Sequence, residues 1–202
     1  MWLPRLGDVP GVRYSPPAGL DISKLKQRNV RPTVNRWPDM PASLSWPLPD
    51  GSTSQSPAGA HRLDELREAT TARVLQILAE TLELPGEPSD YHFGIQNAVS
   101  TLWSRRAEGP QMFVEMERLC WLDLRLIQVF PDSVTFERPD SGVQFFSVTT
   151  IRTLLDLYLM EGALSDAAGV LELADRFGNG DTPSARRARE RCAAFATEDI
   201  GR

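Results

Sequence analysis

General acid–base chemistry in this chain of 202 residues would have to draw on two histidines and 27 acidic residues. His92 is the better placed histidine. In a helix begun by Ser89 it falls on the inward side, about one turn before Gln96 and close to Val99 and Trp103. An imidazole with its ordinary pKa of about 6.5 suits proton transfer near neutrality. A hydrogen-bonded, half-buried structural histidine fits the same position. His61 stands just before a helix and is expected to face solvent. Asp123 lies between Met112 and Met116 on a helical wheel, in the middle of an apolar arc, with Glu115 at the edge of that arc beside Leu122. A carboxylate there is costly unless paired. It is therefore either a functional group or half of an ion pair, with Arg67 or Arg152 as the candidate cation. If the chain is an enzyme, the candidate set is Asp123, Glu115 and His92. Eight residues of helix separate Glu115 from Asp123 by about 12 Å, too far to share a metal without other ligands.

Sequence motifs narrow the chemistry further. Ser23-Lys24-Leu25-Lys26 fits S-x-x-K, the nucleophile pattern of penicillin-recognising enzymes, but no lysine follows Lys26 to form the companion K-T-G. There is no P-loop, G-x-G-x-x-G, G-x-S-x-G or H-E-x-x-H. Cys120 and Cys192 form no C-x-x-C and read as reduced thiols of a cytoplasmic protein. Two distant cysteines and two histidines do not make a zinc site without carboxylates. The expectation is no cofactor and no metal. The start, MWLPRLGDVPG, lacks the continuous apolar core of a secretory signal, and no apolar run approaches a membrane span.

Charge is unevenly spread. Residues 1–60 hold seven basic and four acidic side chains, whereas residues 61–202 hold 15 and 23. So acidic a body repels phosphate, which disfavours broad nucleic-acid binding. Only Arg186-Arg187-Ala188-Arg189-Glu190-Arg191 favours a DNA-binding regulator, and a solvated helix face explains it as well. Lysine is confined to Lys24 and Lys26, against 20 arginines, the codon bias of a GC-rich bacterial genome.

The elements that must position these groups fall into two parts. Ten of the 16 prolines lie in residues 1–57, which argues against long helices and central strands there. Trp2, Trp37 and Trp46 lie in the same segment, and disordered tails are poor in such residues. Residues 1–60 are therefore expected to form an extended Pro/Trp-rich arm and linker, anchored through Trp37 and Trp46 on this chain or on a partner. A short helix over 21–28, capped by Asp21, is the one exception. Residues 61–202 read as a mainly α domain, a compact bundle of five to six helices. Leu63, Leu66, Thr70, Val74, Ile77, Leu78 and Leu82 share one face of a first long helix that ends at Pro85-Gly86. A second runs from Ser89 to about Glu108, and a third from Pro110 to about Val129. The third has so wide an apolar arc that it should be central. A β-hairpin at about 133–146 follows, turning at Pro139–Gly142. Residues 148–161, 164–177 and 183–197 complete the helices.

Within Ile151–Ala174, the spacing of Leu154, Tyr158, Gly162, Leu164, Ala167, Leu171 and Ala174 resembles one tetratricopeptide helical hairpin. The resemblance covers about residues 151–178, within a repeat-like pair at 148–177. A solenoid needs about three such units, so it implies a hairpin and no solenoid. By resemblance, Thr149, Arg152, Asp156 and Met160 would face a partner, Arg152 gripping a carboxylate and Met160 giving an adaptable apolar contact. An ordinary antiparallel helix pair with a glycine turn remains open. The expected function is a non-enzymatic protein–protein interaction module of adaptor, chaperone or inhibitor type, with a protein or peptide partner, no membrane, and homo-oligomerisation left open. The alternatives are the enzyme built on Asp123, Glu115 and His92, and the DNA-binding regulator.

Overall fold

A computed structural model describes residues 1–61, 65–66, 68–138, 140 and 142–200. The chain is mainly helical. Its helices are α1 (Pro57–Ala60), α2 (Thr71–Leu82), α3 (Pro88–Ser104), α4 (Gln111–Val129), α5 (Thr149–Glu161), α6 (Leu164–Arg176) and α7 (Pro183–Ile200). Strands β1 (Thr33–Asn35), β2 (Ser43–Leu48) and β3 (Gly51–Thr53) form one antiparallel sheet, and β4 (Thr135–Arg138) pairs with β5 (Gly142–Phe145) in another.

Helix α4 is covered by α3 on one side and α5 on the other. Its wide arc, Met112, Met116, Leu119, Cys120, Leu124, Leu126 and Ile127, is buried along its length. Helix α2 packs on α3, and α7 packs on both α6 and α5. The first helix is shorter than its periodicity implies. Thr70 does not continue the apolar face; its hydroxyl accepts the Arg73 backbone N–H and caps α2. Leu63, from the same expected face, lies outside the described residues. Helix α3 likewise starts at Pro88 rather than behind a Ser89 cap. The Asp90 carboxylate accepts both the Glu87 N–H (2.7 Å) and the Ser56 hydroxyl (2.7 Å), tying α1 to α3.

The N-terminal segment departs most from expectation. It is not an extended arm. Leu3, Leu6, Val9 and Val12 are buried in the main core. Leu3 and Gly86 exchange backbone hydrogen bonds of 2.8 and 3.0 Å. A Cβ on Gly86 would stand 2.7 Å from that of Ala58, so only glycine allows this crossing. Proline does enter a central strand, because the ladder is staggered. Ser43, Leu44 and Ser45 of β2 pair with β1, while Trp46, Pro47 and Leu48 pair with β3. Pro47 thus never has to donate toward β1. The expected short helix shrinks to one 3-10 turn, Ile22–Lys24, with Asp21 capping the Ser23 N–H.

The anchors also separate. Trp46 is 0% exposed and meets Trp2 edge-on at 5.9 Å, whereas Trp37 is 65% exposed. Trp37 therefore does not anchor this segment to its own chain.

The expected β4–β5 hairpin forms, but Thr135 stands opposite Phe145 and Arg138 opposite Gly142, so Gly142 belongs to β5 and the register is one residue off that of a four-residue turn over 139–142. Pro139 and Ser141 of its turn lie outside the described residues. Aromatic contacts hold it to the helices: Phe146 against Phe93 of α3 at 5.8 Å, and Phe145 against Phe177 at 5.9 Å. Helices α5 and α6 form the expected hairpin, with Gly162 in the left-handed conformation (φ 75°) that a side chain resists. Ala167 and Leu154 are buried as expected. Tyr158 instead points its hydroxyl at α4, donating to Glu117 (2.6 Å) and accepting from the Trp121 indole (2.9 Å).

Candidate functional site

His92 and Asp123 come together. Helix α3 carries His92 and Gln96 on one inward stripe, four residues apart, so one side chain can reach the other. Helix α4 places Asp123 opposite them, and the first turn of α5 adds Thr149 and Thr150. The His92 Nδ1 lies 2.7 Å from Asp123 Oδ1, and the Thr150 hydroxyl donates to Asp123 Oδ2 at 2.6 Å. Gln96 Nε2 lies 2.7 Å from His92 Nε2, and the Thr149 backbone N–H donates to Gln96 Oε1.

The backbone donor sets the direction of the whole chain of bonds. Thr149 N–H can only donate, so Gln96 accepts at Oε1 and donates through Nε2. His92 must then accept at Nε2 and carry its proton on Nδ1, which donates to Asp123. Every donor thus points toward one carboxylate. Three elements converge on Asp123, and its buried charge is met by two hydrogen bonds.

This arrangement has the carboxylate–imidazole contact of an acid–base pair without an accessible reacting atom. Both side chains are 0% exposed. Both ring nitrogens are occupied by protein partners, and Phe93 lies edge-on to the ring at 4.9 Å. Glu115 does not join them: it turns outward and pairs with Arg118 at 2.9 Å. Arg152 is exposed and does not pair with Asp123; Arg67, the other cation considered, lies outside the described residues. Gln96 and Thr150 were missed by the sequence reading. Gln96 left a usable signal, its i+4 spacing from His92. Thr150 left none.

The other candidate residues lie on α5 and its neighbours. Arg152, Asp156 and Met160 fall on one face at spacings of four, with Met160 61% exposed. Thr149 is half-buried and contributes its backbone N–H to Gln96. Helix α7 comes up beside this face, where Arg187 pairs with Asp156 at 2.9 Å. An open groove of about 730 Å³ runs there, with Trp103, Leu159, Met160 and Ala194 as apolar lining and Asp156, Arg187, Glu190 and Arg191 as its ionic lining. The arginine cluster of α7 is therefore partly committed: Arg187 to Asp156, and Arg189 to Asp175 and the Gly180 carbonyl.

Tyr158, at the α4–α5 contact, has its phenol pushed well above its ordinary value by burial and by its bond to Glu117. Burial does the same to the Cys120 thiol, with the Asp123 charge adding to it. An inert thiol results, because the thiolate is the reactive form. Among the described residues no group of three or more His, Cys, Asp and Glu gathers to hold a metal ion, and no described helix is long and apolar enough to cross a membrane.

His61 corrects the expectation of a solvent-facing ring. Its Nε2 lies 2.8 Å from Glu80 of α2, and its side chain is mostly covered. No protein-family model matches this chain, and no curated protein or solved structure matches it either.

Proposed function

We propose that the protein is a non-enzymatic, cytoplasmic protein–protein interaction module that binds a protein or peptide segment along the α5–α7 face. The observation that carries this reading is the groove lined by Trp103, Leu159 and Met160 with ionic groups at its edge. An apolar strip with charges at its margin has the anatomy of a recognition surface. Met160 supplies an adaptable contact, and Arg152, exposed about two turns earlier on the same face of α5, offers a planar donor outside the groove. The resemblance of α5–α6 to a tetratricopeptide hairpin agrees with this use of α5. The Asp156–Arg187 pair offers both charges side by side, which suits a mixed-charge segment better than an acidic terminus. Two free cysteines, Cys120 and Cys192, suit a reducing compartment.

Catalysis at His92 and Asp123 is the weaker reading, because a substrate would first have to displace Gln96 from the imidazole. The test is affinity capture from the native host with mass spectrometry, followed by rebinding of the purified partner. The variant Met160→Glu with Arg152→Glu should keep the wild-type unfolding midpoint, since exposed charges change stability by only about 0–1 kcal/mol, and should lose the partner. A folded variant that rebinds the partner at wild-type affinity sinks the assignment of this face.

A further inference from the structure

We propose that the groove between residues 17–27 and helix α2 is a binding site for a small organic anion, an apolar body carrying one carboxylate or phosphate group. It is a concavity of about 1120 Å³, lined by both lysines of the chain, Lys24 and Lys26, together with His61, Arg73, Gln76 and Glu80. That volume is at or slightly above the roughly 300–1,000 Å³ of sites that enclose small molecules. Leu20, Leu25, Leu75 and Leu84 also line it and supply apolar surface.

The polar side of the groove is built around Glu80. Its Oε2 meets His61 Nε2 at 2.8 Å, and its Oε1 accepts from Gln76 at 2.9 Å with Arg73 at 3.6 Å. The Glu80 charge is therefore answered within the wall. Asp21 is answered in the same way, by Lys24 at 3.0 Å and by the Ser23 hydroxyl at 2.5 Å. Lys26 has no ion-pair partner among the described residues. Both carboxylates among the described lining residues, Asp21 and Glu80, are thus engaged, while the Lys26 ammonium pairs with none of the described residues. This cation belongs to the net-basic stretch 1–60, and it selects for an anion.

The geometry adds direction. Glu80 accepts from His61 Nε2, which holds the ring in the groove wall, where it reports occupancy of the groove. The Asp21-capped 3-10 turn fixes the backbone that carries Lys24 across the groove from α2. The ligand's acidic group would sit at Lys26, with its apolar part against Leu25 and Leu75. This site is separate from the α5–α7 face and does not depend on its role.

The chain has only two histidines, so their ring resonances in NMR report the groove and the sealed core separately. Phenyl phosphate and 3-phenylpropionate are the probes, with 3-phenylpropan-1-ol as the uncharged control. At least one anion should shift the His61 resonances saturably and leave those of His92 in place, and the alcohol should not. The tighter anion identifies the acidic group. Lys26→Glu, at an exposed side chain, should weaken binding about tenfold or more, because a repelling charge replaces the cation; Lys26→Arg should keep it. The proposal is overturned if neither anion moves His61, if the alcohol moves it equally, or if Lys26→Glu binds as the wild type does.

Discussion

Asp123 is held by donors from two other helices, and its energetic role follows from what each removal leaves behind. Thr150→Val keeps the shape of the side chain but takes one donor from a buried carboxylate. It should cost about 1.5–3 kcal/mol, read from the urea unfolding midpoint at neutral pH. Asp123→Ala should cost more, about 3–5 kcal/mol, because it strands both the His92 N–H and the Thr150 hydroxyl in the core. If both changes fall within about 0.5 kcal/mol of the wild type, the network is not holding α3, α4 and α5 together. At this scale the sequence was half legible. An aspartate among Met112, Met116 and Leu119 announces that a partner exists. It does not say which, since His92 and Thr150 lie 31 and 27 positions away. Periodicity describes one helix at a time, and the pairing of helices decides this contact. Glu115 was misplaced for a related reason: an edge position on a wheel turns inward or outward according to its neighbours, and Arg118 draws it outward.

Elements with strong local signals formed where expected. Gly162 at the α5–α6 turn, Thr182-Pro183 at the start of α7 and the alternation of β4 and β5 all act within a few residues. The Thr182 hydroxyl indeed accepts the Ala185 N–H. The β1–β2–β3 sheet was not legible. Its outer strands have three residues each, too few for a period to show, and Pro47 is acceptable only because of a stagger that pairing creates. The burial of Leu3, Leu6, Val9 and Val12 depends likewise on distant Gly86 and Tyr91.

The two tryptophans of this region should now behave differently. Trp46→Ala removes a fully buried indole and its contact with Trp2, a change that costs about 3–5 kcal/mol in a core. Limited proteolysis should then cut within residues 30–55. Trp37→Ala should leave the wild-type cleavage pattern. Equal protection of both variants would mean that Leu3 and its neighbours hold the segment without the sheet. Release by Trp37→Ala alone would place the anchor at the wrong tryptophan.

For the molecule as a whole, all three tyrosines serve as ties between elements, and all three share one electrostatic property. Tyr14 donates to the Ala79 carbonyl of α2 at 3.4 Å. Tyr91 of α3 reaches the carbonyls of Leu84 (2.7 Å) and Leu3 (3.2 Å), fastening the N-terminal segment. Tyr158 joins α5 to α4. Burial raises each phenol above its ordinary value, with nearby carboxylates adding to the effect.

The sign follows from proton counting. Below about pH 10 the phenols are protonated in both folded and unfolded chains, and stability does not depend on them. Above that pH the unfolded chain releases these protons while the folded chain retains them, so stability falls as pH rises toward the folded values. The slope approaches about 1.4 kcal/mol per pH unit for each such group. Cys120, raised in the same direction, adds to the loss from about pH 8.5 upward. Urea midpoints taken between about pH 8 and pH 11 should therefore decline with increasing steepness. Tyrosinate absorbance should appear together with the loss of helical circular dichroism. Gradual tyrosinate formation in a chain that keeps its helical signal would show that these phenols titrate freely, and that Tyr14, Tyr91 and Tyr158 do not close the folded structure against water.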